Sequence, residues 1–228
     1  MRKINIAIDG PAGAGKSTVS KGCAVQLDYT YIDTGAMYRA LSLKALRTGT
    51  PLDDGEKMTE LLKSTSIRLV GNPKVSEVYL DEENVSEAIR TSEVDSVVSL
   101  TAAHLGVREE MAVKQRRLAA EKSAVLDGRD IGTTILPDAE LKIFLIASVQ
   151  ERALRRYKEM QERGKPADYE EIYEAIIHRD ELDKAREHSP LKKAADAVEI
   201  DTTVLTVPEV ISKITALAEE KVNQSHDV

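Results

Sequence analysis

The feature that most constrains this chain is an octapeptide near its start, Gly10-Pro11-Ala12-Gly13-Ala14-Gly15-Lys16-Ser17, which fits the pattern G-x-x-x-x-G-K-[ST]. Successive glycines let the backbone curl until its N–H groups point inward at an anion. Such a loop needs a strand before it and a helix N-terminus after it. Both flanks are present. Ile4-Asn5-Ile6-Ala7-Ile8 is a short apolar-rich run suited to a buried strand, and residues 17–27 contain no proline and read as helix. The helix dipole then faces the phosphate. The motif predicts a bound nucleoside triphosphate, with Lys16 reaching its β- and γ-phosphates and the Ser17 hydroxyl coordinating Mg²⁺.

Strand-like runs recur at 4–8, 29–32, 123–127, 141–146 and 197–201, separated by helical stretches. That alternation predicts an α/β fold, a five-stranded parallel sheet with helices on both faces. Ligands of such sheets bind beyond the carboxyl ends of the strands. Three of the runs close on an aspartate: Asp33, Asp127 and Asp201. Residues 66–90 break the rhythm. Runs at 67–70 and 75–80, followed by Asp81-Glu82-Glu83-Asn84, predict a small antiparallel insertion whose first turn is Gly71-Asn72-Pro73. The polar end, 223–228, is expected to fray.

With 228 residues, 42% hydrophobic and 31% charged, the chain has the makings of one soluble globular core. No run approaches a membrane span, and no signal-peptide core precedes the glycine loop. The single cysteine, Cys23, excludes an internal disulfide and a cysteine-rich zinc site. Inside a predicted helix it reads as a small buried hydrophobe. A reducing, cytoplasmic setting with no membrane partner is therefore expected. The net charge of −7 argues against wholesale nucleic-acid binding. It also sets a problem, because a nucleotide is itself polyanionic. Charges beyond about 8 Å are largely screened, whereas a cation about 4 Å from a phosphate contributes several kcal/mol. Clustered arginines must outweigh the global balance.

Four segments offer such clusters. Tyr31-Ile32-Asp33-Thr34-Gly35-Ala36-Met37-Tyr38-Arg39 closes the second strand and opens a helix, with Thr34 placed as N-cap and Arg39 about a turn later. Ala124-Val125-Leu126-Asp127-Gly128-Arg129-Asp130 ends an apolar strand in a carboxylate, where this class of fold keeps an acid near Mg²⁺. Gly128 suggests a sharp backbone turn that leaves Arg129 and Asp130 at the mouth of a cleft. A helix predicted over 169–187 has Asp168 and Glu171 at the spacing of an N-cap and its third residue. One stripe of it runs Tyr169, Ile172, Ile176, Arg179, Asp183, Arg186, apolar first and charged later. Either the helix leaves the core for a wet cleft, or the stripe ends in surface ion pairs such as Arg179 with Asp183. Lastly, Arg152, Arg155 and Arg156 share a helix face ahead of Lys158, Arg163 and Gly164-Lys165-Pro166. This is a mobile cationic lid over phosphates, or a solvated face laced by Glu151–Arg155 and Glu159–Arg163 pairs. His104, His178, His188 and His226 share no spacing and are not read as ligands.

Together these motifs resemble the bacterial cytidylate (CMP) kinases, a branch of the nucleoside monophosphate kinases with the P-loop NTPase fold. The resemblance rests on Ile8-Asp9-Gly10-Pro11, on residues 33–39, on Asp127-Gly128-Arg129-Asp130-Ile131-Gly132-Thr133, on Arg179-Asp180 with Asp183 and Arg186, and on the strand insertion. It implies one kinase unit over 1–228: a core of about 1–33, 91–150 and 187–228, a CMP-binding region at about 34–90, and a lid at about 151–168. ATP would be bound by Gly10, Pro11, Ala12, Gly13, Ala14, Gly15, Lys16, Ser17 and Thr18, joined by Arg155. Ser17 and Asp127 would attend Mg²⁺. The CMP phosphate would be held by Thr34, Arg39 and Arg129; relatives often carry serine where this chain has Thr34, and the hydroxyl survives the change. Ser99, Arg108 and Asp130 would read the cytosine edge, and Arg179, Asp183 and Arg186 would hold ribose and phosphate. Lys16, Asp127, Arg129 and Arg179 form the implied catalytic set.

The implied reaction is ATP + CMP giving ADP + CDP in a monomeric enzyme, with dCMP a second substrate. An acceptor phosphate is already ionised near neutral pH, so no general base is needed, in keeping with the lack of histidine in these motifs. Catalysis then reduces to alignment and charge neutralisation. A carboxylate at Asp130 favours cytosine, whose C4 carries an amino donor. The rival readings are a kinase of the same fold for UMP or a small metabolite alcohol, and a nucleotide-dependent switch. Against the switch, the chain has no Asn-Lys-x-Asp guanine-reading motif.

Overall fold

The computed structural model describes residues 3–72, 75–121, 123–164 and 166–224. Along the chain come β1 (Asn5–Asp9), α1 (Lys16–Leu27), β2 (Thr30–Asp33), α2 (Thr34–Thr48) and α3 (Gly55–Lys63). Three short strands follow, β3 (Ile67–Asn72), β4 (Val75–Leu80) and β5 (Glu83–Asn84), then a 3₁₀ turn at Ala88–Arg90. The rest is α4 (Ser92–Thr101), α5 (Leu105–Leu118), β6 (Ala124–Gly128), a π-type turn at Ile131–Ile135, β7 (Leu141–Ile146), α6 (Val149–Glu162), α7 (Tyr169–Ala185), β8 (Val198–Asp201) and α8 (Val207–Gln224).

β1 is buried at every position, the mark of a strand covered on both faces. It lies at the centre of a five-stranded sheet of order β2-β6-β1-β7-β8, in which every neighbouring pair is parallel. Its side chains alternate between two cores. Ile4, Ile6 and Ile8 pack with Val19 and Cys23 of α1 and with Val210 and Ile214 of α8. Ala7 turns the other way, with Ile32 and Leu126, toward Ala112 of α5 and Ile131 and Ile135 of the π-type turn. Burial of each large side chain contributes about 1.5–3 kcal/mol. Cys23 is wholly buried in the first of these cores, as a small hydrophobe should be.

α2 is gripped from two sides. Met37 and Leu41 meet Met58 and Leu62 of α3 and Met111 of α5, while Ala36, Ala40 and Leu43 meet Val78, Leu80 and Val85 of the insertion. The insertion is the predicted antiparallel unit, ordered β3-β4-β5 with Ile67 opposite Leu80. Pro73 of its first turn lies outside the described residues, as do Lys165, His226 and the chain beyond 224. Asn223 and Gln224, expected to fray, complete α8. No described helix is long and apolar enough to cross a membrane.

Candidate active site

The glycine loop leaves β1 through a gap that admits no side chain. A Cβ on Gly10 would stand 2.2 Å from the Leu145 carbonyl oxygen, and its φ is 149°. α1 then starts at Lys16, one residue earlier than expected, with Gly15 as its N-cap. Lys16 is buried, and its Nζ donates to the Pro11 carbonyl at 2.8 Å. Burial, reinforced by nearby Arg129, lowers its pKa well below the ordinary value, while Asp127 acts in the opposite sense.

Parallel register sets Asp33 of β2 opposite Asp127 of β6. Both oxygens of Asp127 are engaged: Ser17 Oγ donates to Oδ2 at 2.7 Å and Tyr31 Oη to Oδ1 at 2.9 Å. Burial, then the neighbouring Asp33 charge, pushes Asp127 up to about 6. A hydroxyl and a carboxylate held side by side are hard oxygen donors of the kind Mg²⁺ takes alongside water and phosphate. Among the described residues no group of three or more His, Cys, Asp or Glu could form an all-protein cage. The donor set suits a hard ion shared with a phosphate.

Arg152 does not overhang the cleft as a lid cation. Its guanidinium is buried on Asp180 (3.0 and 2.6 Å), and it also donates to the Ala12 carbonyl at 2.9 Å, bracing the glycine loop from outside. Arg155 is likewise anchored, by Thr202 Oγ1 (3.1 Å), the Thr202 carbonyl (2.5 Å) and Glu151 (2.9 Å). Farther along α6, Arg156 donates to Asp95 at 2.8 Å and to Glu159 at 3.1 Å, and Arg163 pairs with Glu159 at 3.0 Å. These outer arginines line the cleft and carry surface ion pairs at once.

A second constellation faces the first. Asp33, not Thr34, caps α2, its Oδ1 accepting from the Ala36 N–H at 2.9 Å. Both neighbours have capping chemistry; Thr34 has already entered the helix, and its hydroxyl donates to the Asp127 carbonyl at 2.6 Å. Gly128 is small for want of space rather than for a sharp turn: a Cβ there would meet Ile131 Cδ1 at 2.7 Å and Thr34 Oγ1 at 2.9 Å. Next to it, Arg129 Nε donates to Asp183 Oδ2 at 2.8 Å, and Arg186 takes Oδ1. Two arginines therefore claim the carboxylate that the alternative reading of the stripe paired with Arg179, and they hold its pKa below the usual range despite burial. Arg179 Nε is buried with no hydrogen-bond partner, and burial followed by the Arg129 charge holds its pKa down to about 10.

Asp130 and Arg108 form a buried pair at 2.6 Å, with Arg108 also donating to the Ala102 carbonyl at 3.0 Å and lying 5.8 Å over the Tyr38 ring. Arg39 donates to Asp95 and, at 3.5 Å, to the Ile89 carbonyl. Of the α7 stripe, Ile172, Ile176, Arg179, Asp183 and Arg186 do line the cleft, whereas Tyr169 meets Tyr157 edge to face and stacks on Tyr173. The helix ends at Ala185, so Arg186 is its C-cap.

One cleft of about 1570 Å³ joins both constellations, lined by residues 12–18, Thr34, Arg39, Ser99, Arg108, Asp127, Arg129, Asp130, Arg155, Arg179, Asp183 and Arg186. Gly10 and Pro11 shape the loop without lining the space. Four residues gained a place here that the sequence reading did not assign: Asp9, Tyr31, Asp95 and Thr202. A lone acid closing an apolar strand was the available signal for Asp9. Asp95 is one acid among many on helix surfaces and carried none.

Residues 6–220 match the family model for cytidylate kinase. The chain is 54% identical over 220 residues to the cytidylate kinase of Bacillus velezensis, covering 96% of this chain and 98% of that one. With the cytidylate kinase of Bacillus subtilis it shares 52% over 220 residues, again covering 96% and 98%. An uncharacterised protein from Eubacterium ventriosum shares the fold, with a TM-score of 0.52 at 15% identity over 96% of this chain and 99% of that one. The family model spans nearly the whole chain, and relatives match at above half identity over the same length: the chain belongs to the cytidylate kinase family.

Proposed function

We propose that this chain transfers the γ-phosphoryl group of ATP to the phosphate of CMP, and of dCMP, giving ADP and CDP or dCDP. The observation that carries this reading is the pair of helix N-termini at the carboxyl ends of β1 and β2, the two strands that flank β6 in the sheet. α1 opens behind β1 and α2 behind β2, and their arginine and lysine neighbours share one cleft. Each N-terminus favours an anion.

On the donor side the loop N–H groups, Lys16 and Arg155 bind ATP, with Lys16 exchanging the Pro11 carbonyl for a phosphate oxygen. Ser17 and Asp127 would hold Mg²⁺, which when bound neutralises charge on the β- and γ-phosphates. On the acceptor side Thr34, Arg39 and Arg129 take the CMP phosphate at the start of α2. Arg179 lies close enough to Arg129 for the two charges to oppose each other, and a phosphoryl group passing between the pockets relieves that opposition. The acceptor oxygen is ionised, so no side chain need remove a proton.

Base choice follows from the Arg108–Asp130 pair. Arg108 occupies Oδ2 and leaves Oδ1 to accept from the cytosine amino group, with Ser99 and Arg108 completing the edge. Uracil would set a carbonyl against that oxygen, at a cost of about 1–3 kcal/mol, or roughly ten- to a hundredfold. Asp183, fixed between Arg129 and Arg186, takes a ribose hydroxyl. Residues 34–90 form the acceptor side and 151–168 the lid, which closes to exclude water. On this reading the enzyme works as a monomer in the cytoplasm.

A coupled ADP assay across CMP, dCMP, UMP, a small alcohol and no acceptor tests the proposal. Turnover with CMP and dCMP far above the rest is expected. ADP release that CMP does not raise would overturn it.

A further inference from the structure

Asp9 has no part in the chemistry described so far, yet it is one of the most deeply buried acids in the molecule, only 4% exposed. Its Oδ1 accepts from the Ile131 N–H and its Oδ2 from the Gly132 N–H, both at 2.8 Å, across more than 120 residues of chain. Those amides open the π-type turn that follows Asp130, a turn with no side-chain cap of its own. Amides at the start of a helical turn lack intrahelical partners and must be satisfied from elsewhere. Here a neighbouring strand does it.

The other end of the connection is equally fixed. Asp9 is followed by Gly10, where the backbone is pressed against the Leu145 carbonyl as it enters the ATP loop. Gly132 in turn packs on the Lys142 stem, 3.1 Å from where a Cβ would sit. We infer that Asp9 is a positioning residue for base recognition: it ties the root of the ATP loop to the backbone just after Asp130, and so sets the base-reading carboxylate relative to the donor phosphates. This rests on the acceptor reading given above.

Energetic cost supports the assignment. Burial pushes Asp9 up to about 6, against the pull of its two amide donors and Lys16 and with a further push from Asp130. A neutral side chain would fit the core more cheaply. An acid kept there at a loss is kept for the two charge-assisted bonds it makes.

Asp9→Asn keeps the shape but presents only one acceptor oxygen. The expected result is a fall of about tenfold in the CMP-over-UMP ratio of kcat/KM, carried mainly by a higher KM for CMP. The Kd for ATP, measured by calorimetry, should change by less than about twofold. Equal losses with both acceptors, leaving the ratio intact, would mean a merely structural role and overturn the inference. Should the variant not fold, amide exchange in the wild-type protein decides. Protection at Ile131 and Gly132 matching that of β1 upholds the tie, and exchange as fast as an exposed turn removes it. A wild-type enzyme indifferent between CMP and UMP sinks the acceptor reading and this inference together. A wild-type preference that survives Asp9→Asn sinks this inference alone.

Discussion

The end of the cleft around Arg108, Asp130 and Asp183 and the outer face of α6 are built from the same materials, arginines and carboxylates, in opposite surroundings. Arg108 and Asp130 expose 6% and 7% of their side chains and Asp183 1%. On α6 and its C-cap, Arg156, Glu159 and Arg163 each expose about 40%. Removing one partner of a buried pair costs about 3–5 kcal/mol, because the survivor is left charged and unpaired. Exposed pairs are worth about 0–1 kcal/mol and yield to salt. On the proposed reading, the pocket that would discriminate is assembled in advance, whereas the segment that would close is held by contacts cheap to exchange for phosphate oxygens.

The largest effect separates chemistry from scaffold. Lys16→Ala is expected to lower kcat/KM by at least about a thousandfold. Its melting temperature should stay within a few degrees of wild type, since Lys16 is itself buried at a cost. Full activity in the coupled assay would remove Lys16 from the mechanism. Next comes the pocket itself. Asp130→Ala strands Arg108 and should cost about 3 kcal/mol or more in denaturant unfolding while narrowing the CMP/UMP gap roughly ten- to a hundredfold.

A pH series sharpens the contrast within the core. The folded Asp9 carboxyl sits at about 6 against 3.8 ordinarily, so the native state holds a proton that the unfolded chain releases between those values. Its stabilising contribution is therefore greatest at low pH and is lost as pH rises through 6. The melting-temperature difference, wild type minus Asp9→Asn, should be larger by about 5 °C near pH 4.5 than near pH 7.5, measured without ligands. A gap independent of pH would contradict this. The smallest effect belongs to the outer face of α6: Glu159→Ala should shift stability by no more than about 0.5 kcal/mol. A loss above about 2 kcal/mol would erase the contrast with the pocket.

How much of this was legible beforehand depended on whether the cause was local. The glycine loop, Asp127 and the Asp130 region were readable because strand end, loop and helix start follow one another in the chain. The α2 cap was misread by one residue because Asp33 and Thr34 both carry capping oxygens, and only the backbone decides between them. Gly128 was taken for a turn, yet it is hemmed in by Ile131 and also by Thr34, which lies more than ninety residues away. Arg152 looks like any helix-surface arginine until Asp180 is folded against it. The Asp95 link between Arg39 and Arg156 joins three separate helices and leaves no trace in spacing.

Direct transfer requires the two anion pockets to lie close together. A crystal structure with a non-hydrolysable ATP analogue and CMP measures that separation. A CMP phosphate oxygen in line with the γ-phosphorus at about 3–3.5 Å, beside Arg39 and Arg129, is the predicted result. CMP bound outside the cleft, or with its phosphate turned away from the γ-phosphate while both sites are full, would contradict it.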